Sequence, residues 1–415
     1  MTSADIPTGP VVVVGAGQAG AETAAVLRGQ GFEGRITLIG DEGRYPYMRP
    51  PLSKHYLAGE LTPDRILVRP EAFYERAGVE LQLGNAATRI DRTAQQVELA
   101  DGQQIGYAAL VIATGGSPRR LAGLQGSNVH YLRTVADVDG LQNGLRAGSH
   151  LVIVGGGYVG LEVAALARAR GVHVTVLEAA DRLLARVACP ELARFVHDRH
   201  VANGVEVRLA ATVSGMSTSP SGRVSAVLLA TGEAIASDTV LVGVGLLPNV
   251  GLAAEAGLEV ADGIVVDEHC RTSDPNIYAV GDCTRHPCHE TGGTRRLESV
   301  PNATEQARTV AAAIIGQDHP YRAVPWFWSD QGELKLKSVG LTTGCDMVVL
   351  RPQADATQFA AFYLEQGRLR AADIVNNPRL FAVSRRLVAA RVTVSPEQLA
   401  DPETSLDQLL EPVAG

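Results

Sequence analysis

Two stretches of the chain are continuous runs of apolar β-formers. Val11-Val-Val-Val14 and Leu151-Val-Ile-Val154 carry no polar residue, the pattern of strands buried on both faces of a parallel sheet rather than half-buried ones. Each run passes directly into G-x-G-x-x-G, as Gly15-Ala-Gly-Gln-Ala-Gly20 and Gly155-Gly-Gly-Tyr-Val-Gly160. Ala-rich helical stretches follow, Ala21 to Leu27 and Leu161 to Ala169, and then second strands, Arg35 to Asp41 and Val172 to Glu178. Late in the chain, Glu333 to Val339 alternates with period two and Pro378 to Val392 has helical spacing, so the end reads as strands followed by helix.

The two Gly-rich units lie 140 residues apart and superpose residue by residue. Strand, tight turn and helix in that order form the dinucleotide-binding arrangement. The first glycine (Gly15, Gly155) makes the turn, the second (Gly17, Gly157) lets a pyrophosphate approach, and the third (Gly20, Gly160) packs helix on strand. Unpaired amides at the helix start then face the phosphates. Two copies imply two dinucleotides. Glu178 ends the second strand of the second unit, where a carboxylate accepts the ribose hydroxyls of NAD and repels the extra phosphate of NADP. NADH is therefore expected, and Arg182 nearby leaves room for some use of NADPH.

Charge and cysteine content narrow the classes. A formal net charge of -8 argues against wholesale binding to nucleic acid or anionic lipid, which need a cationic surface. No apolar run approaches the roughly 18 residues of a membrane span, and the start has no signal-peptide pattern. The five cysteines include no C-x-x-C, so a disulfide framework is not expected and a cytoplasmic location is. Cys283 and Cys288 supply half a zinc site at most, and no metal is expected.

Other segments carry a family likeness. Leu110-Val-Ile-Ala-Thr-Gly-Gly116 and Thr272-Ser-Asp-Pro-Asn-Ile-Tyr-Ala-Val-Gly-Asp282, with the first repeat, resemble the two-dinucleotide flavoproteins of the glutathione reductase type. The blocks Tyr45-Pro-Tyr-Met-Arg-Pro-Pro-Leu-Ser-Lys54, Tyr131-Leu-Arg-Thr134, Gly243-Val-Gly-Leu-Leu-Pro-Asn249, Glu298-Ser-Val-Pro-Asn-Ala303 and Pro325-Trp-Phe-Trp-Ser-Asp-Gln331 are similar to the ferredoxin reductases that serve bacterial oxygenases. No redox cysteine pair stands beside the first unit, which separates the chain from the disulfide reductases.

That resemblance implies a fold, cofactors and roles. The fold is α/β, with two Rossmann-like domains, for FAD and NAD, plus an α+β C-terminal domain. Residues 1–115 and 246–325 would form the FAD domain, 116–245 the NAD domain and 326–415 the C-terminal reductase domain. FAD contacts would come from Ala19, Asp41, Lys54, Ala87, Arg133, Asp282 and Val300, and Thr114, Gly115, Gly245 and Gly281 would be further cofactor-binding positions. Asp282 would hydrogen-bond the ribityl chain, and the Pro301-started helix would point its amides at the flavin. Lys54 and Glu162 would pair beside the flavin, Tyr158 would lie over it until nicotinamide arrives, and Trp328 would stand where electrons leave. Tyr158 also reads as a packed aromatic, and Trp326 as filling of the last domain.

The function implied is hydride transfer from NADH to FAD, then single-electron delivery to a 2Fe-2S ferredoxin feeding a mono-oxygenase or ring-hydroxylating dioxygenase. Residues 326–396 hold nine Lys and Arg against six Asp and Glu, a balance of +3. A basic face shared by the FAD and C-terminal domains is therefore expected to meet an acidic ferredoxin, with Arg69, Arg308, Lys335, Lys337 and Arg385 as candidate contacts. Two rival readings are an NADH oxidase or peroxidase and a redox-sensing interaction protein of the apoptosis-inducing type.

Overall fold

A computed structural model describes residues 9–410. The described residues divide into two compact units, one of residues 9–49, 62–117 and 246–323, the other of 50–61, 118–245 and 324–410.

The first unit is built on a five-stranded parallel sheet in the order Ile277–Ala279, Ala109–Ile112, Val11–Val14, Ile36–Gly40, Val79–Leu83. Val11 pairs with Ile36 on one side and Ala109 on the other, so the all-valine strand is central and buried on both faces, as a continuous apolar run requires. Val11 and Val13 pack with Ala24 and Leu27 of the helix Gln18–Gly29 and with Ala303, Val310 and Ile314 of the helix Val300–Ile314. Val12 and Val14 face the opposite layer, where Ile90, Val97, Leu99 and Ile105 come from a small antiparallel sheet. Within the Thr272–Asp282 segment the strand is only Ile277–Ala279. Thr272 Oγ1 turns the preceding chain, accepting from the Asp274 amide at 3.2 Å and donating to the Ile277 carbonyl at 2.8 Å.

The second unit repeats the theme with the parallel order Glu206–Arg208, His173–Leu177, His150–Val154, Thr239–Val242, Val129–His130. Its helix Tyr158–Ala169 buries Leu161, Val163, Ala164 and Ala167. The same unit contains a five-stranded antiparallel sheet ordered Trp326–Gln331, Leu334–Gly340, Arg368–Val375, Phe359–Glu365, Met347–Leu350. Leu334–Gly340 keeps the expected alternation over its first half, with Leu334 and Leu336 buried and Lys335 exposed, and loses it at Val339, which is buried out of phase. The helix Pro378–Ala390 lays Phe381, Leu387 and Val388 on that sheet. Pro50–Leu61 joins this unit: Gln142 Nε2 donates to the Leu57 carbonyl at 3.3 Å, and Leu52 and Leu57 are buried. Among the described residues no helix is long and apolar enough to cross a membrane.

Candidate active site

In the first unit the Gly-rich turn is closed by sterics. Gly15 has φ +116°, and a Cβ there would overlap the Ala113 carbonyl. A Cβ on Gly20 would overlap the Gly15 carbonyl, so the helix can approach the strand only as glycine allows. Gly17 has open space instead and caps the helix start without a side chain. The amides there are left for a ligand. Ala19 is buried beside Gly281, which has φ +82° and whose Cβ would stand 3.0 Å from that of Ala19. Asp282 follows in a tight turn, and the Gly281 amide is fixed by Gln306 Oε1 at 2.7 Å. Ser299 caps the helix Val300–Ile314 by accepting from the Asn302 amide, with Pro301 in its first turn. Thr114 and Gly115 are held by Asn249: Thr114 Oγ1 donates to its carbonyl at 2.7 Å, and the Gly115 carbonyl accepts its amide at 2.9 Å. Asp41 is exposed at the end of its strand, while the neighbouring Glu42 is engaged by Tyr47 and Arg49. Ala87 opens a strand of the small sheet.

The second cradle has the same geometry. Gly155 has φ +109° and no room for a Cβ beside the Gly243 carbonyl, and a Cβ on Gly160 would lie 2.7 Å from the Gly155 carbonyl. Gly157 is open apart from a Gly243 carbonyl at 4.0 Å, and Gly245 has φ +108°. Glu178 sits at the strand end, its two oxygens accepting the Gly156 amide at 2.7 Å and the Ala180 amide at 2.8 Å. It therefore clamps the turn as well as facing it. Gly156 was not expected to matter, yet a Cβ there would meet Leu183 at 2.5 Å and Glu178 at 3.0 Å. Arg182 turns away to the Ala185 carbonyl and Asp181. The Arg133 amide donates to Asp137, which closes a capping box with Thr134.

Lys54 and Glu162 meet in the second unit, with Lys54 Nζ 2.7 Å from Glu162 Oε2 and side-chain exposures of 11% and 4%. The Pro50–Ser53 turn presents Lys54, whose ammonium also donates to the Pro50 carbonyl at 3.2 Å. Glu162 lies one residue past the first turn of its helix. Its carboxylate accepts from the Ser53 hydroxyl on Oε2 and from Ser329 Oγ at 2.7 Å on Oε1. A buried carboxylate with one cation and two hydroxyl donors is fully satisfied. Tyr158 begins the same helix, and its ring centroid is 4.6 Å from that of Phe327. Burial first, then Asp373 and Glu162 nearby, pushes its phenol well above the ordinary range, so it stays neutral.

Residues 9–307 match the model of the pyridine nucleotide-disulphide oxidoreductases, and residues 326–410 match a reductase C-terminal domain. The chain is 44% identical over 407 residues to putidaredoxin reductase of Pseudomonas putida, covering 96% of each chain. It is 43% identical over 399 residues to rhodocoxin reductase of Rhodococcus erythropolis, covering 95% of this chain and 93% of that one. This chain belongs to the ferredoxin reductases of the pyridine nucleotide-disulphide oxidoreductase family. A crystal structure of the covalent putidaredoxin reductase–putidaredoxin complex superposes with a TM-score of 0.94 at 43% identity, covering 97% of this chain and 98% of that one.

In this ferredoxin reductase the strand Trp326–Gln331 has two faces. Phe327, Ser329 and Gln331 alternate with Trp326, Trp328 and Asp330, so Trp328 does not share the face of Phe327, which meets Tyr158. Trp328 lies 5.5 Å from Trp326 and opposite Lys337 in register. Arg385 covers the Trp326 ring at 4.9 Å and Lys337 the Phe381 ring at 5.3 Å. Lys335 pairs with Asp330 at 3.5 Å. In the first unit, Arg69 pairs with Glu22 at 2.8 Å and Arg308 with Glu305 at 2.5 Å. The sequence reading missed Ser53, Phe327, Ser329 and Gln331. Their signal was membership of the two group-specific blocks around Lys54 and Trp328.

Proposed function

We propose that this chain is the NADH-dependent, FAD-containing reductase of an oxygenase system, delivering electrons singly to a 2Fe-2S ferredoxin. The observation that carries the reading is the doubled cradle: each unit has a glycine turn with no room for a Cβ at its first and third glycines and open space at the second. The first cradle suits FAD, since Gly281 and Ala19 bring the Asp282 turn against the Gly-rich helix start, and the second suits NADH through Glu178. FAD, when bound, supplies hydride acceptance and one-electron release.

The chain's own residues then bind and orient. Ala19, Asp41, Ala87, Thr114, Gly115, Arg133, Asp282 and Val300 are the proposed flavin contacts, and Gly245 closes the nicotinamide turn. Tyr158 is proposed to cover the flavin until nicotinamide displaces it, and Lys54, held by Glu162, to place positive charge near it. Trp328 is proposed on the electron exit, with Lys337 and Arg385 as the core of a basic face for an acidic ferredoxin and Arg69, Arg308 and Lys335 as further contacts. The division into FAD (1–115, 246–325), NAD (116–245) and C-terminal (326–415) domains is proposed on the same basis.

The test is anaerobic NADH-driven reduction of a panel of bacterial 2Fe-2S ferredoxins. Robust turnover with at least one supports the reading. In a parallel assay in air, peroxide formed in proportion to NADH consumed, with no ferredoxin reduced in either assay, would favour an oxidase instead.

A further inference from the structure

The Lys54–Glu162 pair does not end at Ser329. Gln331, two residues along the same strand face and 2% exposed, donates from Nε2 to Ser329 Oγ at 3.2 Å. Gln331 Oε1 stands 2.8 Å from Nε2 of His200, also 2% exposed, on the helix Pro190–Ala202. We propose that His200 and Gln331 are positioning residues that fix the direction of a hydrogen-bond relay, and through Ser329 hold Glu162 where it locks Lys54. The proposal deepens the reading of Lys54 as the flavin-side charge and rests on it.

The direction is forced step by step. Glu162, paired with an ammonium, is an acceptor only, so the single hydroxyl proton of Ser329 must go to it. Ser329 then has lone pairs alone to offer Gln331, which must present its NH2. The Gln331 carbonyl consequently faces His200, whose Nε2 must carry hydrogen. Burial lowers the His200 pKa, favouring a neutral imidazole, and the Gln331 carbonyl 2.8 Å from Nε2 selects the tautomer that keeps its proton there. Every link is buried, so an unmade bond has no water to replace it. Without the His200 donor the buried Gln331 carbonyl loses its partner, and the weaker 3.2 Å bond to Ser329 alone opposes turning of the amide. A turned Gln331 would offer its oxygen to Ser329, compete for the one hydroxyl proton and leave Glu162 Oε1 without a donor.

The chain has three lysines, Lys54, Lys335 and Lys337, so the relay can be read on Lys54 directly. The flavin-loaded full-length protein is labelled with trace acetic anhydride, and Lys54 acetylation is measured by mass spectrometry against the exposed Lys335. His200→Phe keeps an aromatic of similar size and removes the donor, whereas His200→Gln offers an amide N–H near the Nε2 position. The expected result is at least a threefold rise in relative Lys54 reactivity in His200→Phe, with His200→Gln within twofold of wild type. The effect should vanish in a Ser329→Ala background, because the relay is already cut there. Equal reactivity in His200→Phe and wild type, an equal rise in both His200 variants, or a His200→Phe effect that persists with Ser329→Ala would overturn the proposal. If His200→Phe does not fold, Gln331→Met against wild type and in the Ser329→Ala background carries the same decision. Labelling does not depend on electron transfer, so failure to reduce any ferredoxin would sink the functional reading while leaving this result standing.

Discussion

Replacing Lys54 by methionine removes the charge that Glu162, Ser53 and Pro50 hold in place while keeping the length of the side chain. A unit charge acting over several ångströms at an effective dielectric near 20 contributes a few kcal/mol, about 4 kcal/mol at about 4 Å and less beyond. The partner carboxylate, 2.7 Å away, offsets part of that. A residual of about 1.4 kcal/mol in the barrier corresponds to roughly a tenfold rate change. Lys54→Met should therefore slow flavin reduction by NADH at least tenfold, followed anaerobically in a stopped-flow instrument as bleaching of the visible flavin band, with FAD still bound. Stability should move separately. Glu162 would be left buried at 4% exposure with hydroxyl donors only, and breaking a buried pair from one side costs about 3–5 kcal/mol. Adding Glu162→Gln should restore much of the thermal stability without restoring the rate, because the lost rate belongs to the cation and the lost stability to the stranded carboxylate. An unchanged bleaching rate in Lys54→Met, or recovery of rate together with stability in the double variant, would refute this assignment.

Glu178→Arg should narrow the preference for NADH over NADPH by at least tenfold in kcat/KM, and should also weaken NADH use because Glu178 clamps the Gly156 and Ala180 amides; equal use of both coenzymes by the wild type would sink the reading. Gly20→Ala places a methyl against the Gly15 carbonyl, so the protein should purify with less than half the flavin of wild type, and full flavin content would remove the steric argument. Burial raises the Asp373 carboxyl above its ordinary range, so the folded state keeps a proton that the unfolded chain releases. Stability present below the ordinary carboxylate pKa is then lost as pH rises towards the raised value, by up to about 1.4 kcal/mol per pH unit. Asp373→Asn should lack that decline in urea titrations, and parallel pH curves for the two proteins would contradict it. Reversing charge in Lys337→Glu with Arg385→Glu should cut ferredoxin reduction at least fivefold at low salt and flatten its salt dependence, leaving ferricyanide reduction within twofold; equal loss with both acceptors would mean damage to the fold.

The sheet centres were legible because a strand buried on both faces must be apolar throughout, and Val11–Val14 and Leu151–Val154 satisfy that with no long-range information. The glycine turns were legible for the same local reason, apart from Gly156, whose requirement comes from Leu183, 27 positions along the chain. The affiliation of Pro50–Leu61 with the second unit was not legible. It rests on contacts such as Arg170 donating to the Ala58 carbonyl, and nothing in a short Pro-rich stretch encodes which distant helix will meet it. The Lys54–Glu162 pair was expected from the family resemblance, but the residues that hold Glu162 were not. Ser53, Ser329, Gln331 and His200 are ordinary polar residues until strand, turn and helices bring them together, and only their burial makes each hydrogen bond compulsory.

Why a lysine stands at position 54 follows from the same geometry. The chain carries 37 Lys and Arg, of which three are lysine, so arginine is its usual cation. At position 54 the acceptors converge from different directions: the Glu162 carboxylate at 2.7 Å, the Pro50 carbonyl at 3.2 Å and Ser53 Oγ at 3.5 Å. A compact ammonium with three rotatable donors meets such a set, whereas a planar guanidinium aims its donors as a fork in one plane. The carboxylate offers no fork either. Its Oε2 is shared between Lys54 and Ser53, and its Oε1 is committed to Ser329, so bidentate pairing is blocked. The serines that surround Glu162 thus select a point charge at position 54, and the charge that remains is concentrated on one small group.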